Sequence, residues 1–424
     1  MRGSRTAHPE DVYLNVDGPG MSRAMTFDER RLLQVSSRKS HIQGSTGLKR
    51  AVTFVSKSKL QRRQTLTYDD VLYRRHFGAS SLPVPMPIVH GVTECVIQTP
   101  AVVREEAVVV IDTFSTGASL ASQIYKMGYK VICVMSGDLG DLKSMIPDGL
   151  ELVFSGTLQF DFTLPHEDGV IKLLSELQAL PWPVVAVLPG AETGVELSDE
   201  ISSRMGVRTN GTALTEARRN KYVMGETVRA AGLRAVKQKH ASTWGEIAQF
   251  IENWNPNPFK VIVKPMDSAG SDDVTLCLSM EEVQKAFGNI IGKVNGLGLV
   301  NKSVLVQEYL EGQEYVIDMV SRDGVHKVVG IWLYDRRPAN GANFVCHGQR
   351  LMLANEEHCE EIIAYQKKVI TALGIVNGPT HGEVKWFQGE PVLVEVGSRC
   401  HGGDGFWTAV AVGPCTIVWI ITYV

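Results

Sequence analysis

The sequence has no Cys-x-x-Cys pair among its seven cysteines, Cys95, Cys133, Cys277, Cys346, Cys359, Cys400 and Cys415, and no secretory leader is evident in its first residues. Both absences speak for free thiols in a reducing compartment and against a disulfide framework. Long apolar runs are missing too: the apolar end segment 416–424 falls well short of the roughly 20 residues that cross a bilayer, so no membrane partner is expected. Net charge is nearly absent. Forty-three Lys and Arg against 46 Asp and Glu leave −3, which gives the chain as a whole no electrostatic reason to seek nucleic acid. No repeat of roughly 20 to 50 residues is visible. No Gly-x4-Gly-Lys-Ser/Thr occurs, which removes the Walker phosphate loop.

What remains is globular material, 44% hydrophobic and 21% charged over 424 residues, more than one domain of roughly 100 to 200 residues requires. It is unevenly built. Residues 1–90 hold 15 Lys/Arg and 7 Asp/Glu, whereas residues 91–424 hold 28 and 39. The first segment is rich in Ser, Thr and Arg, with basic pairs such as Arg30-Arg31 and Arg62-Arg63, and shows little apolar periodicity. Such a chain cannot bury enough surface to offset its ordering entropy, so 1–100 is read as a basic, mostly disordered segment. An organelle transit peptide is the lesser reading, because Glu10, Asp11, Asp17, Asp28 and Glu29 interrupt it; the default compartment is cytoplasmic.

From residue 101 the texture changes. Glu106-Ala-Val-Val-Val-Ile-Asp112 is continuously apolar, as a buried parallel strand is. A helix over 119–127, a strand over 130–135, another at 183–188 and a helix over 195–205 follow, the alternation of an open α/β sheet. Asp112 and Thr113, just after the first strand, read as turn or cap residues, with substrate contact as the alternative. Beyond 210 one helix is expected over 218–232, and capping boxes Thr243-x-x-Glu246 and Ser279-x-x-Glu282 open two more. Strands at 260–264, 274–278, 303–307, 314–321, 327–333, 381–387 and 391–396, many alternating and joined by short turns, indicate antiparallel sheets with helices, an α+β arrangement.

Three stretches carry chemistry. Val261-Ile-Val-Lys264-Pro265, followed by Met266-Asp-Ser268-Ala-Gly270-Ser271, places an ammonium at a strand end beside a small-residue turn whose N–H groups suit a polyphosphate; an ordinary hairpin explains it equally well. Val304-Leu-Val-Gln-Glu308-Tyr309-Leu310, with Glu314 six residues after Glu308, can offer backbone groups to an adenine edge and a carboxylate to ribose hydroxyls; a plain edge strand competes. His381-Gly-Glu383 and Val392-Leu-Val-Glu395-Val-Gly-Ser-Arg399 form two strands joined by a short hairpin. Two acids brought to one face there repel unless a divalent cation joins them, and Arg399 can neutralise charge on a transferred phosphoryl group; a surface ion pair between the strands is the lesser reading. Asp335-Arg336-Arg337 reads as a solvated cluster, with contact to substrate or phosphates as the other reading. Cys346-His347, His358-Cys359 and Cys400-His401 lack the spacing of a zinc knuckle and are read as core or loop positions.

In this order the motifs over about 215–410 resemble the ATP-grasp superfamily of carboxylate-amine ligases, in the branch acting on amino acids or forming dipeptides. The resemblance implies a Rossmann-like domain over 101–210, to whose end Val187-Leu-Pro-Gly-Ala-Glu-Thr-Gly-Val195 is similar. It implies an ATP-grasp domain over 211–424, with a small lobe at about 211–306 and a large lobe at about 307–424. It also implies ATP and Mg2+ or Mn2+ as cofactors. Lys221 and Lys264 look like the two phosphate-binding lysines; Ser268, Gly270 and Ser271 belong to a loop covering the phosphates. Glu308, Tyr309 and Leu310 match the adenine hinge, Glu314 the ribose residue, Glu383 and Glu395 the metal carboxylates, and Lys264 and Arg399 the catalytic pair. The implied reaction makes an acyl phosphate, which an amine attacks, releasing ADP and phosphate. Partners would be small-molecule carboxylate and amine substrates, and a homodimer stays open. A carboxylase, or an inactive ATP-binding protein, is the alternative. Two departures stand out: Gly397 occupies the place where many members have an Asn metal ligand, and the chain stops soon after Gly405, which suggests a truncated or mispredicted terminus.

Overall fold

Strand β1 (Ala107–Ile111) is buried at every position, and the reason is visible on its two sides. Val108 and Val110 pack with Ala118, Leu120, Ala121 and Ile124 of helix α1 (Thr116–Lys126). Ala107, Val109 and Ile111 pack instead with Val170, Leu173 and Leu177 of α2 (His166–Gln178) and with Leu197 and Ile201 of α3 (Val195–Met205). A strand covered on both faces has no use for polar alternation. With β2 (Lys130–Met135), β3 (Phe154–Gln159) and β4 (Val184–Pro189) it forms a parallel sheet of order β3-β2-β1-β4. The computed structural model describes residues 100, 102–138, 140, 146–266, 273–295, 300–339 and 342–402. The basic N-terminal segment to residue 99, the residues Ser268, Gly270 and Ser271 expected in a phosphate loop, and the apolar end segment lie outside these.

The expected single helix over 218–232 is two helices, α4 (Thr215–Arg219) and α5 (Lys221–Ala230). Asn220 divides them: its backbone is extended and its side chain accepts hydrogen bonds from the amides of Tyr222 and Val223, each at 3.0 Å. Asparagine favours this because its short amide competes with the helix for backbone donors and so becomes an N-cap. Arg218, just before the break, is fully buried and reaches both Asp199 of α3 (2.9 Å) and the carbonyl of Leu373 (3.0 Å).

A four-stranded antiparallel sheet of order β5-β8-β6-β7 follows, from β5 (Gln238–Ala241), β6 (Val261–Pro265), β7 (Thr275–Cys277) and β8 (Val304–Glu308). Val261, Val263, Val304 and Val306 face α6 (Trp244–Trp254) and α7 (Met280–Ile290), so the period of two sends Lys264 to the other face. The last sheet, of order β11-β10-β9-β12-β13, holds β9 (Glu314–Arg322), β10 (Val325–Ala339), β11 (Ala342–Leu351), β12 (Gly378–Phe387) and β13 (Glu390–Gly397). Tyr315, Ile317, Met319, Ile331, Val384 and Leu393 form its apolar face against α8 (Cys359–Ala372). β3, β5 and β11 are strands the patterning did not single out; the first two are short and lack a continuous apolar run.

Candidate active site

The opposite face of the large sheet is where the charged residues collect. Register makes this compulsory: Glu383 pairs directly with Glu395 across β12 and β13, and with Val316 of β9, while Lys385 pairs with Glu314 and His381 with Asp318. Directly opposed residues in an antiparallel pair point to the same side, so Glu314, Asp318, His381, Glu383, Lys385 and Glu395 share one face. Tyr334, opposite Glu314 on β10, places Arg336 on that face as well, two residues on.

Arg336 is an ion-pair partner of Glu314 and lies 3.9 Å from Glu383. This corrects the reading of Asp335-Arg336-Arg337 as one solvated cluster: Arg337 and Asp335 do pair with each other at 2.7 Å, but alternation along β10 turns Arg336 inward. Lys221, at the start of α5, stands 3.2 Å from Glu395. Lys264 is buried, and its ammonium is pushed down to about 8, first by burial and then by the charge of Lys221, against the pull of Glu395, Glu383 and Glu314. Of the buried Glu314 and the half-buried Glu383, Glu314 is pushed up by burial and by its neighbour's charge. Burial acts the same way on Glu383, but a hydrogen bond from His381 and the charges of Arg336, His381 and Arg399 hold it well below the ordinary carboxylate range.

Asp318 organises the far end of this face. It accepts from His381 Nδ1 at 3.2 Å, from His401 Nδ1 at 2.9 Å and from the Trp332 indole at 2.8 Å. His401 Nε2 in turn meets the Tyr334 hydroxyl at 2.6 Å, and His381 Nε2 meets Glu383 Oε1 at 3.4 Å. Burial would lower His381, but its bonds to Asp318 and Glu383 raise it to about 9, so both ring nitrogens donate. Burial and the His381 charge lower His401, leaving Nε2 as acceptor of the tyrosine proton. The three acid and imidazole groups lie close enough to suggest a metal centre, yet every ring nitrogen is already committed to a hydrogen bond.

Arg399 leads to the parallel sheet. Its Nε lies 2.9 Å from Glu192 Oε2, and Arg219 pairs with the same carboxylate. Glu192 follows β4, and Asp112 follows β1, at the point where strand order reverses, the place such sheets present side chains to ligands. Asp112 is occupied structurally, accepting from the Ser136 amide and hydroxyl at 2.8 and 2.7 Å and from Thr193, a role that ties neighbouring strand ends together and caps no helix among the described residues. Glu192 Oε2 has no aligned hydrogen-bond donor among the described residues. A Cβ on residue 397 would sit 3.1 Å from Glu192 Oε2 and 3.2 Å from Arg399 Cζ, so Gly397 leaves room for this pair. Arg219 also lines a cleft of about 710 Å³ bounded by His166, Glu196, Glu200, Arg204 and Thr215.

The structure brings together Lys221, Lys264, Glu314, Glu383, Glu395 and Arg399 from the sequence-derived set. Glu308 is held by other partners: Arg234 grips both its oxygens at 2.9 Å and the Lys237 amide donates to it at 3.1 Å. Tyr309 has Lys260 and Lys385 over its ring at 5.7 and 5.8 Å, and Leu310 is buried with Val236 and Val392. Sequence reading missed Glu192, Arg219, Asp318 and His381 as site residues. A carboxylate after the reversal strand was the available signal for the first.

The ATP-grasp domain family matches residues 257–407. Dapdiamide A synthase of Enterobacter agglomerans is 32% identical over 301 residues, covering 71% of this chain and 68% of that one. Alanine–anticapsin ligase of Bacillus subtilis (strain 168) is 27% identical over 259 residues, 57% of this chain and 53% of its own length, so the chain spans about half of that relative. Among solved structures, the L-amino acid ligase from Bacillus licheniformis superposes with a TM-score of 0.54 at 17% identity, covering 71% of this chain and 69% of that one, a likeness of fold. The chain belongs to the ATP-grasp family, among its carboxylate-amine ligases.

Proposed function

We propose that the protein joins an amino acid carboxylate to the amine of a second amino acid, driven by ATP hydrolysis to ADP and phosphate. The observation that carries this is the convergence of Lys264 from the small antiparallel sheet with Lys221, Glu383 and Glu395 at the large one. Two carboxylates as direct cross-strand neighbours, with two lysines beside them, fit a divalent cation bound to a triphosphate, since magnesium is held by one or two carboxylates plus phosphate oxygens. Glu383 and Glu395 would hold it, and it would supply charge neutralisation at the phosphates. Glu314, Tyr309 and the Glu308–Leu310 backbone would bind the nucleoside, with Arg234 fixing the strand end through Glu308.

The chain's own residues then account for the chemistry. Lys221 and Lys264 draw the β- and γ-phosphates against the sheet. A substrate carboxylate oxygen attacks the γ-phosphorus, the bond to the bridging oxygen breaks, and ADP departs; the amine attacks the acyl carbon and phosphate leaves with the oxygen it gained. Arg399 offsets the negative charge at this centre. Glu192, ion-paired with both Arg399 and Arg219, would hold Arg399 in place, and the cleft beside Arg219 has the volume of a small-ligand site. Purified protein screened against amino acid pairs should release ADP and phosphate only when acid and amine are both present. Release of AMP and pyrophosphate, or release with no acceptor dependence, excludes the reading.

A further inference from the structure

We propose that Asp318 is a positioning residue for Glu383, acting through His381. This rests on the assignment of Glu383 to the divalent cation made above. Asp318 is 4% exposed and lies two strand positions from any residue assigned to nucleotide or metal, yet it spends both carboxylate oxygens on side-chain donors. Oδ2 takes His401 and Trp332, and Oδ1 takes His381. Trp332 and His401 are themselves fixed, the indole by full burial and His401 by Tyr334. Asp318 is therefore an immobile acceptor, and the ring that donates to it can turn in only one way. That orientation brings His381 Nε2 to Glu383 Oε1. Arg336 approaches the same oxygen, so the ionic contacts of Glu383 among the described residues fall on Oε1, and Oε2 is the oxygen turned toward neither. A carboxylate held by one oxygen through an acid–imidazole pair is how an outer shell orients a metal ligand, and loss of such support typically costs about 10- to 100-fold in metal affinity.

The test uses the full chain with Mn2+ and a non-hydrolysable ATP analogue, free Mn2+ being read by electron paramagnetic resonance. Asp318→Asn keeps the shape but removes the charge, and His381→Asn keeps a donor toward Asp318 but cannot reach Glu383. Each should weaken Mn2+ binding about tenfold or more, with analogue binding in excess chelator unchanged within twofold. In turnover, each should raise the Mg2+ concentration for half-maximal rate while kcat at saturating Mg2+ falls little. Should Asp318→Asn lack a cooperative melt, His381→Asn decides by the same criterion. If Glu383→Gln weakens Mn2+ more than tenfold while Asp318→Asn and His381→Asn do not, the positioning role is overturned and the proposed function stands. If Glu383→Gln has no effect, the metal assignment falls and takes the positioning role with it. Stoichiometric zinc or iron in the purified protein would also overturn it, by making Asp318, His381 and His401 a metal centre.

Discussion

At the scale of single residues, Lys264 shows how burial sets a group's working state. With its ammonium pushed down to about 8, Lys264 should be half-charged in mildly alkaline solution before nucleotide binds; a triphosphate beside it favours the charged form and restores the proton. ATP binding should therefore take up protons between about pH 8 and 10 and none at pH 6, where Lys264 is already protonated. Calorimetry in buffers of differing ionisation enthalpy measures this, and Lys264→Met should remove the uptake. An uptake of zero for the unsubstituted protein at pH 8.5 would separate Lys264 from the phosphates. The same scale explains Gly397. A Cβ there would lie 3.1 Å from Glu192 Oε2 and 3.2 Å from Arg399 Cζ, so a larger residue requires that ion pair to shift by a few tenths of an ångström.

At the scale of elements, what the sequence makes legible is what two periodicities encode. The buried parallel strand at Ala107–Ile111, the helix at Val195–Met205 and the hairpin carrying Glu383 and Glu395 were readable because apolar continuity or alternation states which faces are covered. The division of the 218–232 helix was not, since helix propensity alone carries through Asn220 and only the cap geometry stops it there. Arg336 was misread because three adjacent charges look solvated until the strand's alternation is imposed. Asp318 and Glu192 stayed hidden because their partners lie 14 to 207 positions away, a separation no local pattern reports. The Asn220 break has a consequence for binding: it sets the first turn of α5 and with it Lys221. Asn220→Ala should lower stability by about 1 kcal/mol in chemical denaturation and raise the KM for ATP more than it lowers kcat. Equal loss in both would mean the cap does not place Lys221.

At the scale of the whole molecule, the site is assembled from all three sheets: Glu192 from the parallel one, Lys264 from the small antiparallel one, and Glu314, Glu383 and Glu395 from the large one. The helix pair α4 and α5 sits at the join and sends Arg218 to Asp199 and to Leu373, Arg219 to Glu192 and Lys221 to Glu395. Such an arrangement favours positioning and charge neutralisation over covalent catalysis by the protein, as phosphoryl transfer requires. The most direct measurement follows the oxygen. With both carboxylate oxygens of the acid substrate labelled with 18O, the account predicts ADP formation and one labelled oxygen in the released inorganic phosphate, because the attacking oxygen leaves with the phosphorus. Label appearing in AMP, or phosphate released without label while the product forms, would contradict it.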